Sequence, residues 1–256
     1  MEKLKISIVT VCYNAVDNIE KTIQSVINQT YQNIEYIIID GASTDGTVDI
    51  INKYNDKIAY FVSERDKGIY DAMNKAIHMA TGDWINFMNS GDSFATDHTI
   101  SDIFGNGADY EGQDVIYGDA LFNYSGVPVL CKARPLSTLG YRMAFCHQSS
   151  YVRTSLMKKS LFDLRYTYVA DYAFFHDLYI RGLSFYYIPL AFAIYSLEGG
   201  FTNSNILKVM REEHLISQKR DVKWLCHLLY TYQSFLLHRI LRPEILNKFR
   251  RLFTIR

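Results

Sequence analysis

The chain's four cysteines, Cys12, Cys131, Cys146 and Cys226, form no CxxC pair and no metal-ligand spacing. A disulfide framework and a zinc module are thereby excluded, and buried free thiols in a reducing compartment are the expectation. Residues 1–20 lack a cationic start followed by an apolar run and a cleavage site, so no secretory leader is expected. No apolar run is long enough to span a bilayer: the stretch Trp224 to Leu241 is interrupted by His227, Gln233, His238 and Arg239. Internal repeats and low-complexity linkers are absent as well. Net charge is also missing, since 27 Lys and Arg balance 27 Asp and Glu over 256 residues.

That balance conceals an asymmetry. Residues 1–207 carry 16 Lys and Arg against 23 Asp and Glu, a net of −7, whereas residues 208–256 carry 11 against 4, a net of +7. A basic, Leu-, Phe- and Tyr-rich tail on an acidic body favours a membrane surface over nucleic acid as the tail's partner. The apolar fraction of 48% supports a full core. The 20 Tyr and 15 Phe suit sugar handling or an interface, and suit an aromatic-rich core equally well.

Apolar periodicity orders the first third. Strands are expected at Lys5–Val11, Ile34–Ile39, Ile58–Val62 and Trp84–Met88, with helices at Asp17–Gln29, Thr47–Tyr54 and about Ile69–Ala80. Such alternation calls for a parallel, doubly wound sheet. Beyond Asp92 the pattern loosens: a strand at Val115–Tyr117, a hairpin over Leu121–Leu130, a helix at Tyr172–Arg181 and a short strand Phe185–Ile188 before Pro189. From Ile206 to about Leu241 one or two amphipathic helices are expected.

Chemistry-bearing residues collect at the ends of the early strands, where open α/β sheets hold their ligands. The second strand ends in Asp40 and turns through Gly-Ala-Ser-Thr-Asp-Gly to Thr47. Asp40 is placed to accept hydrogen bonds from a ribose or a base. Thr10-Val-Cys-Tyr-Asn14 closes the first strand beside it, with Asn14 to read a base edge and Tyr13 to pack on its face; an ordinary strand-to-helix turn is the plain alternative. In Ser63-Glu-Arg-Asp-Lys-Gly68, cations at Arg65 and Lys67 precede a helix N-terminus and suit a diphosphate. Asp71, Asn74 and Lys75 then share one helix face, which reads equally as a solvated charged face. Phe87-Met-Asn-Ser-Gly-Asp92 offers oxygen ligands for Mg²⁺ or Mn²⁺, chiefly Asp92 with Asn89, or else a simple Asx turn.

In that order the motifs resemble the family 2 glycosyltransferases. The match runs through Ser7-Ile-Val-Thr-Val-Cys-Tyr-Asn14, Asp40 to Thr47, Asp66-Lys-Gly-Ile-Tyr-Asp-Ala-Met-Asn-Lys75, Thr81-Gly-Asp83 and Asn89-Ser-Gly-Asp92, over roughly residues 5–95 and more loosely to about 200. The resemblance implies an α/β GT-A fold, Rossmann-like, with a mainly parallel sheet flanked by helices and a C-terminal helical extension. It implies a GT-A domain at 1–205, divided into a nucleotide-binding half (1–95) and an acceptor half (96–205), then a basic helical segment at 206–256. Thr10, Asn14, Asp40, Lys67 and Asp71 fall at its nucleotide-binding positions. Asn89-Ser90-Gly91 replaces both carboxylates of the family's Asp-x-Asp and leaves Asp92. In the family's Glu-Asp pair, Ala170 replaces the Glu and Asp171 is kept, which implies Asp171 as the catalytic base, with a helix-cap residue as the plain alternative. Glu198-Gly-Gly-Phe-Thr202 matches a late glycine loop that closes over the diphosphate.

Phe145-Cys-His-Gln148 adds His147 and Gln148 as candidate partners of donor or acceptor sugar hydroxyls. The apolar stripe at Leu225, Leu228, Leu229, Tyr232, Phe235, Leu236 and Ile240, flanked by basic residues, fits interfacial binding or packing on the chain's own body. The implied activity is inverting, metal-assisted transfer of a hexose from a nucleotide-diphosphate donor, UDP-linked, to a saccharide on a lipid diphosphate. The setting is cytoplasmic or peripheral on the inner face of the membrane, in surface polysaccharide, O-antigen or capsule assembly. A non-catalytic nucleotide-sugar-binding subunit and a sugar nucleotidyltransferase are the rival readings.

Overall fold

The computed structural model describes residues 3–105, 107–124, 127–196 and 205–217, and Leu229. The late glycine loop, Glu198 to Thr202, and the apolar stripe from Leu225, Leu229 apart, lie outside the described residues. β-Branched and aromatic residues build four strands, β1 (Ile6–Cys12), β2 (Ile34–Asp40), β3 (Tyr60–Ser63) and β4 (Trp84–Phe87). They lie parallel in the order β3-β2-β1-β4. Crossover helices α1 (Ile19–Ile27), α2 (Thr47–Asn52) and α3 (Ile69–Met79) connect them.

Both faces of this half are buried, as its continuous apolar strands require. Val9, Val11, Ile37 and Ile39 face Ala72, Met73, Ala76 and Ile77 of α3. Alternate residues Ile6, Ile8 and Ile38 face Ile19, Ile23 and Val26 of α1 on the other side. Each buried aliphatic side chain contributes roughly 1.5–3 kcal/mol.

Beyond β4 the sheet becomes mixed, so the doubly wound expectation holds for the first half only. The remaining elements are β5 (Ser93–Phe94), α4 (Thr99–Phe104), β6 (Val115–Tyr124), β7 (Val127–Cys131), β8 (Ser150–Arg153), α5 (Thr154–Lys159), α6 (Ala170–Ile180), β9 (Phe185–Ser196) and α7 (Ile206–Ser217). β8 runs antiparallel between β4 and β6, and β7 pairs with β6 as a hairpin. The strand expected to stop before Pro189 continues to Ser196. Its register with β6 slips around Gly118 and Asp119, so Pro189 sits where the ladder asks for no N–H. Gly118 belongs to that slip, because a Cβ there would lie 2.5 Å from the Leu190 carbonyl oxygen.

Thr81-Gly-Asp83 proves to be a clamp at the foot of the sheet. The buried Glu35 carboxylate receives Lys5 Nζ at 2.7 Å, Ser7 Oγ at 2.6 Å and Thr81 N at 2.7 Å. Gly82 N donates to Ser7 Oγ, and Asp83 accepts from Lys5 N. A Cβ on Gly82 would lie 2.7 Å from Lys5 O and Ser7 N. Burial alone would raise the Glu35 pKa, yet these donors together bring it down to about 2.

Candidate active site

A cavity of about 890 Å³ opens where β1 and β4 end and reaches across to the start of α6. One wall comes from β1 and the two loops beside it. There the Asp40–Thr47 motif is spent mostly on scaffold. Asp40 is fully buried, its oxygens taken by Ser43 N at 2.8 Å, Ser63 Oγ at 2.6 Å and Ser43 Oγ. Asn14, at φ +45°, accepts Thr44 N at 3.0 Å through its side-chain oxygen. Thr47 Oγ1 receives Ala15 N, and Asp45 receives Val16 N. Thr10 is fully buried and donates to the Met88 carbonyl oxygen at 2.8 Å. Thr10 and Asp40 thus stand behind the cavity wall, whereas Asn14, Lys67 and Asp71 are on it.

Tyr13 and Asp66 also line this wall, Tyr13 being 66% exposed. Gly41 lets them approach: a Cβ there would lie 2.8 Å from Asp66 Oδ2 and 3.3 Å from Tyr13 Cδ2. Asp66 was not singled out from sequence, although it stands beside Lys67 in the run opening α3. Asp66 Oδ1 accepts Gly68 N and Asp71 Oδ2 accepts Lys67 N, which fixes the loop and leaves the Lys67 ammonium without a partner among the described residues. In a Gly41→Ala variant, UDP is expected to bind about tenfold more weakly, a cost of ~1.4 kcal/mol, with the fold retained. Isothermal titration with UDP checks this; unchanged affinity would show that Tyr13 and Asp66 do not line a nucleotide site.

The Asn89–Asp92 turn forms the cavity floor, held from below by α1. Thr22 Oγ1 donates to Asp92 O and receives Gly91 N. Asp92 is 5% exposed; Gln148 Nε2 donates to its Oδ2 at 2.6 Å and Ser196 N to its Oδ1 at 3.0 Å. Burial raises its pKa from 3.8 to about 6, with those two donors and the charges of His147 and Lys21 holding it back. Asn89 Oδ1 and Ser90 Oγ are buried without a partner. Two unsatisfied oxygens beside one carboxylate suit a hard divalent cation whose remaining ligands come from phosphates and water. Among the described residues no three His, Cys, Asp or Glu side chains converge as a metal cage.

Opposite lies the densest polar cluster. Asp171 opens α6, and its side chain is 17% exposed. Tyr70 OH donates to Asp171 Oδ1 at 2.8 Å, and His147 Nδ1 lies 3.2 Å from Oδ2. The other imidazole nitrogen, Nε2, is 3.2 Å from Asn89 Nδ2. Burial pushes the Asp171 pKa up most strongly, but the His147 bond and charge, Tyr70 and the Tyr172 amide together bring it below its ordinary value. Asp171 is therefore an ionised carboxylate on a cavity wall. His147 bridges it to the Asn89 turn, and Gln148, 2% exposed, clamps Asp92. Tyr70 went unnoticed in the sequence because its role needs α6, a hundred residues on, to be placed beside α3.

Two cations complete the lining. The loop leaving β7 is pinned by buried Asp119, which accepts Ala133 N at 2.8 Å, and by Arg134 N to the Ala144 carbonyl. Lys132 and Arg134 are thereby presented to the cavity without an acidic partner among the described residues.

Residues 7–127 match the model of Glycosyl transferase family 2. The chain belongs to that family. An Escherichia coli relative, the UDP-Glc:alpha-D-GlcNAc-diphosphoundecaprenol beta-1,3-glucosyltransferase WfaP, is 26% identical over 242 residues, covering 91% of this chain and 95% of WfaP. Staphylococcus aureus TarS 1–349 with UDP-GlcNAc superposes at a TM-score of 0.65 and 20% identity, over 87% of this chain and 69% of that TarS chain. The mannosyltransferase PcManGT from Pyrobaculum calidifontis, in complex with GDP-Man and Mn²⁺, superposes at 0.64 and 15% identity, over 82% of this chain and 62% of PcManGT. The mixed, mainly parallel sheet flanked by helices is thus the GT-A fold. As a family 2 glycosyltransferase the chain uses a nucleotide-sugar donor. Among its described residues no helix is long and apolar enough to cross a membrane.

Proposed function

We propose that this family 2 enzyme transfers a hexose with inversion from a UDP-sugar to a saccharide carried on a lipid diphosphate, in surface-glycan assembly at the cytoplasmic membrane face. The observation carrying the reading is Asp171. It is an ionised carboxylate, oriented by two donors, on the wall opposite the Asn89–Asp92 turn. An inverting displacement needs a base at that place, taking the acceptor hydroxyl's proton as its oxygen attacks C1 on the face opposite the leaving diphosphate. Tyr13, Asp66, Lys67 and Asp71 would receive the nucleotide, with Asn14, Asp40 and Thr10 fixing the loops beneath it. Asp92 and Asn89 would hold Mg²⁺ or Mn²⁺, which supplies charge neutralisation for a leaving diphosphate.

The acceptor class is argued from Lys132 and Arg134. Two unpaired cations on the cavity wall match a second diphosphate, and the acceptor named for WfaP carries one. The test is a transfer assay with UDP-, GDP- and dTDP-sugars, Mn²⁺, and two acceptors: a lipid-diphosphate saccharide and the same saccharide as an alkyl glycoside. A β-linked product from a UDP-sugar is expected. A Lys132→Ala, Arg134→Ala variant is expected to raise KM about tenfold for the diphosphate acceptor and leave the alkyl glycoside unaffected. Nucleotide-sugar binding with no hydrolysis or transfer across the panel would favour a non-catalytic subunit instead.

A further inference from the structure

We infer that Glu212, on the C-terminal helix α7, is a positioning residue for the catalytic carboxylate; the inference rests on reading Asp171 as the base. The turn Thr167–Val169 enters α6, where the first N–H groups of a helix have no partner within it. Val169, at the cap position, has no side-chain oxygen to offer, and no side-chain cap bond is made there. Glu212, from another element, takes the Val169 N–H at the cap and two further amides of the turn that leads into it. Its Oε1 accepts Thr167 N at 3.0 Å, and its Oε2 accepts Tyr168 N at 2.8 Å and Val169 N at 3.2 Å. Three backbone donors on one carboxylate at a helix N-terminus form a charge-assisted clasp that the helix dipole favours.

Neighbouring residues of α7 fix the same turn. Lys208, one helical turn before Glu212, donates to Tyr168 OH at 3.0 Å and stands over its ring, 5.4 Å from the centroid. Val209 packs into an apolar cluster with Val169 and Tyr172. The clasp reaches the chemistry by two routes. Along the chain, Asp171 lies two residues beyond Val169. Through space, the Tyr168 carbonyl oxygen lies 3.2 Å from the hydroxyl of Tyr70, which donates to Asp171. Thr167 and Tyr168 themselves line the cavity. α7 therefore belongs to the catalytic apparatus, although it falls in the chain's last fifth.

The test uses full-length Glu212→Ala and Glu212→Gln. Glutamine keeps the side chain's shape and one acceptor oxygen, so it reports even where alanine impairs folding. Three readouts are expected to move together. The kcat falls about ten- to a hundredfold in the alanine variant and less in the glutamine one, as small misplacements of a reacting group do. The acid limb of the kcat–pH profile moves up, because Tyr70 and His147 no longer hold Asp171 as low. Amide exchange at Thr167–Val169 accelerates, while UDP affinity, read by titration, stays at the wild-type value. A purely structural Glu212 would lower Tm but leave kcat per folded molecule and the acid limb where they were, and that result overturns the proposal. Wild-type exchange at Thr167–Val169 in both variants overturns it too. An Asp171→Asn control separates the premises: wild-type transfer there refutes the base, whereas the exchange readout tests the clasp regardless.

Discussion

Replacing Asp171 by Asn is expected to lower transfer about a thousandfold while UDP binding and fold persist. The amide keeps the carboxylate's shape, so Tyr70 OH still finds an oxygen at Oδ1. At the other position an amide N–H meets His147 Nδ1, and the imidazole answers by changing tautomer, its Nε2–H turning to the Asn89 amide oxygen. What is lost is the ionised carboxylate that the proposed mechanism uses to take the acceptor's proton. The fold is expected to report the change through pH. Interactions hold the Asp171 pKa below its ordinary value of 3.8. Its ionised form therefore stabilises the protein above that value, and the contribution fades as pH falls through the lower folded one. The Tm gap between wild type and variant should accordingly narrow below about pH 4. Transfer by Asp171→Asn at the wild-type rate, with an intact circular dichroism spectrum, would exclude Asp171 as base.

Asp92→Asn is expected to produce the opposite pairing, a more stable protein that transfers poorly. Burial lifts the Asp92 carboxyl from 3.8 to about 6, so the folded state holds that proton more tightly than the unfolded chain. The stability this contributes is complete below 3.8 and is lost as pH rises through about 6. At neutral pH the buried charge therefore costs on the order of 3 kcal/mol. Asparagine removes it, and Gln148 can rotate its own amide to meet the new nitrogen. Thermal melts should show the variant above wild type at pH 8 and level with it near pH 4. Transfer should fall about a hundredfold, as when a charge-stabilising group is removed, and lose its stimulation by Mn²⁺. Equal melting curves across that range would mean that Asp92 does not bury a charge. A group kept at such a cost fits the metal-holding role proposed for it.

The first half of the fold was legible because each of its strands is a short run rich in β-branched or aromatic residues and each helix has its apolar face at helical spacing. β1 through β4 and α1 through α3 fall within a few residues of expectation. β9 was cut short because Pro189 is an honest stop signal for a strand; only the local slip against Gly118 and Asp119 makes it tolerable. At the site, Asp171, His147 and Asn89 were each picked out, yet nothing in the sequence links them. Their connection through the two nitrogens of one imidazole exists only once α6 is laid against the β4 turn. Tyr70 and Glu212 escaped for the same reason: a tyrosine and a glutamate on helices carry no mark of a partner that is distant along the chain.

The knitting of Asp40 through Thr47 and the clamp at Thr81 to Asp83 bear on how relatives of this enzyme should be judged. These stretches make a chain recognisable, but they do so by tying loops and strand feet together. A descendant that had given up catalysis would need them as much as an active enzyme does. On the proposed mechanism, loss of activity would show instead in a pseudoenzyme that keeps every recognisable motif and has let Asp171, Tyr70 and His147 drift.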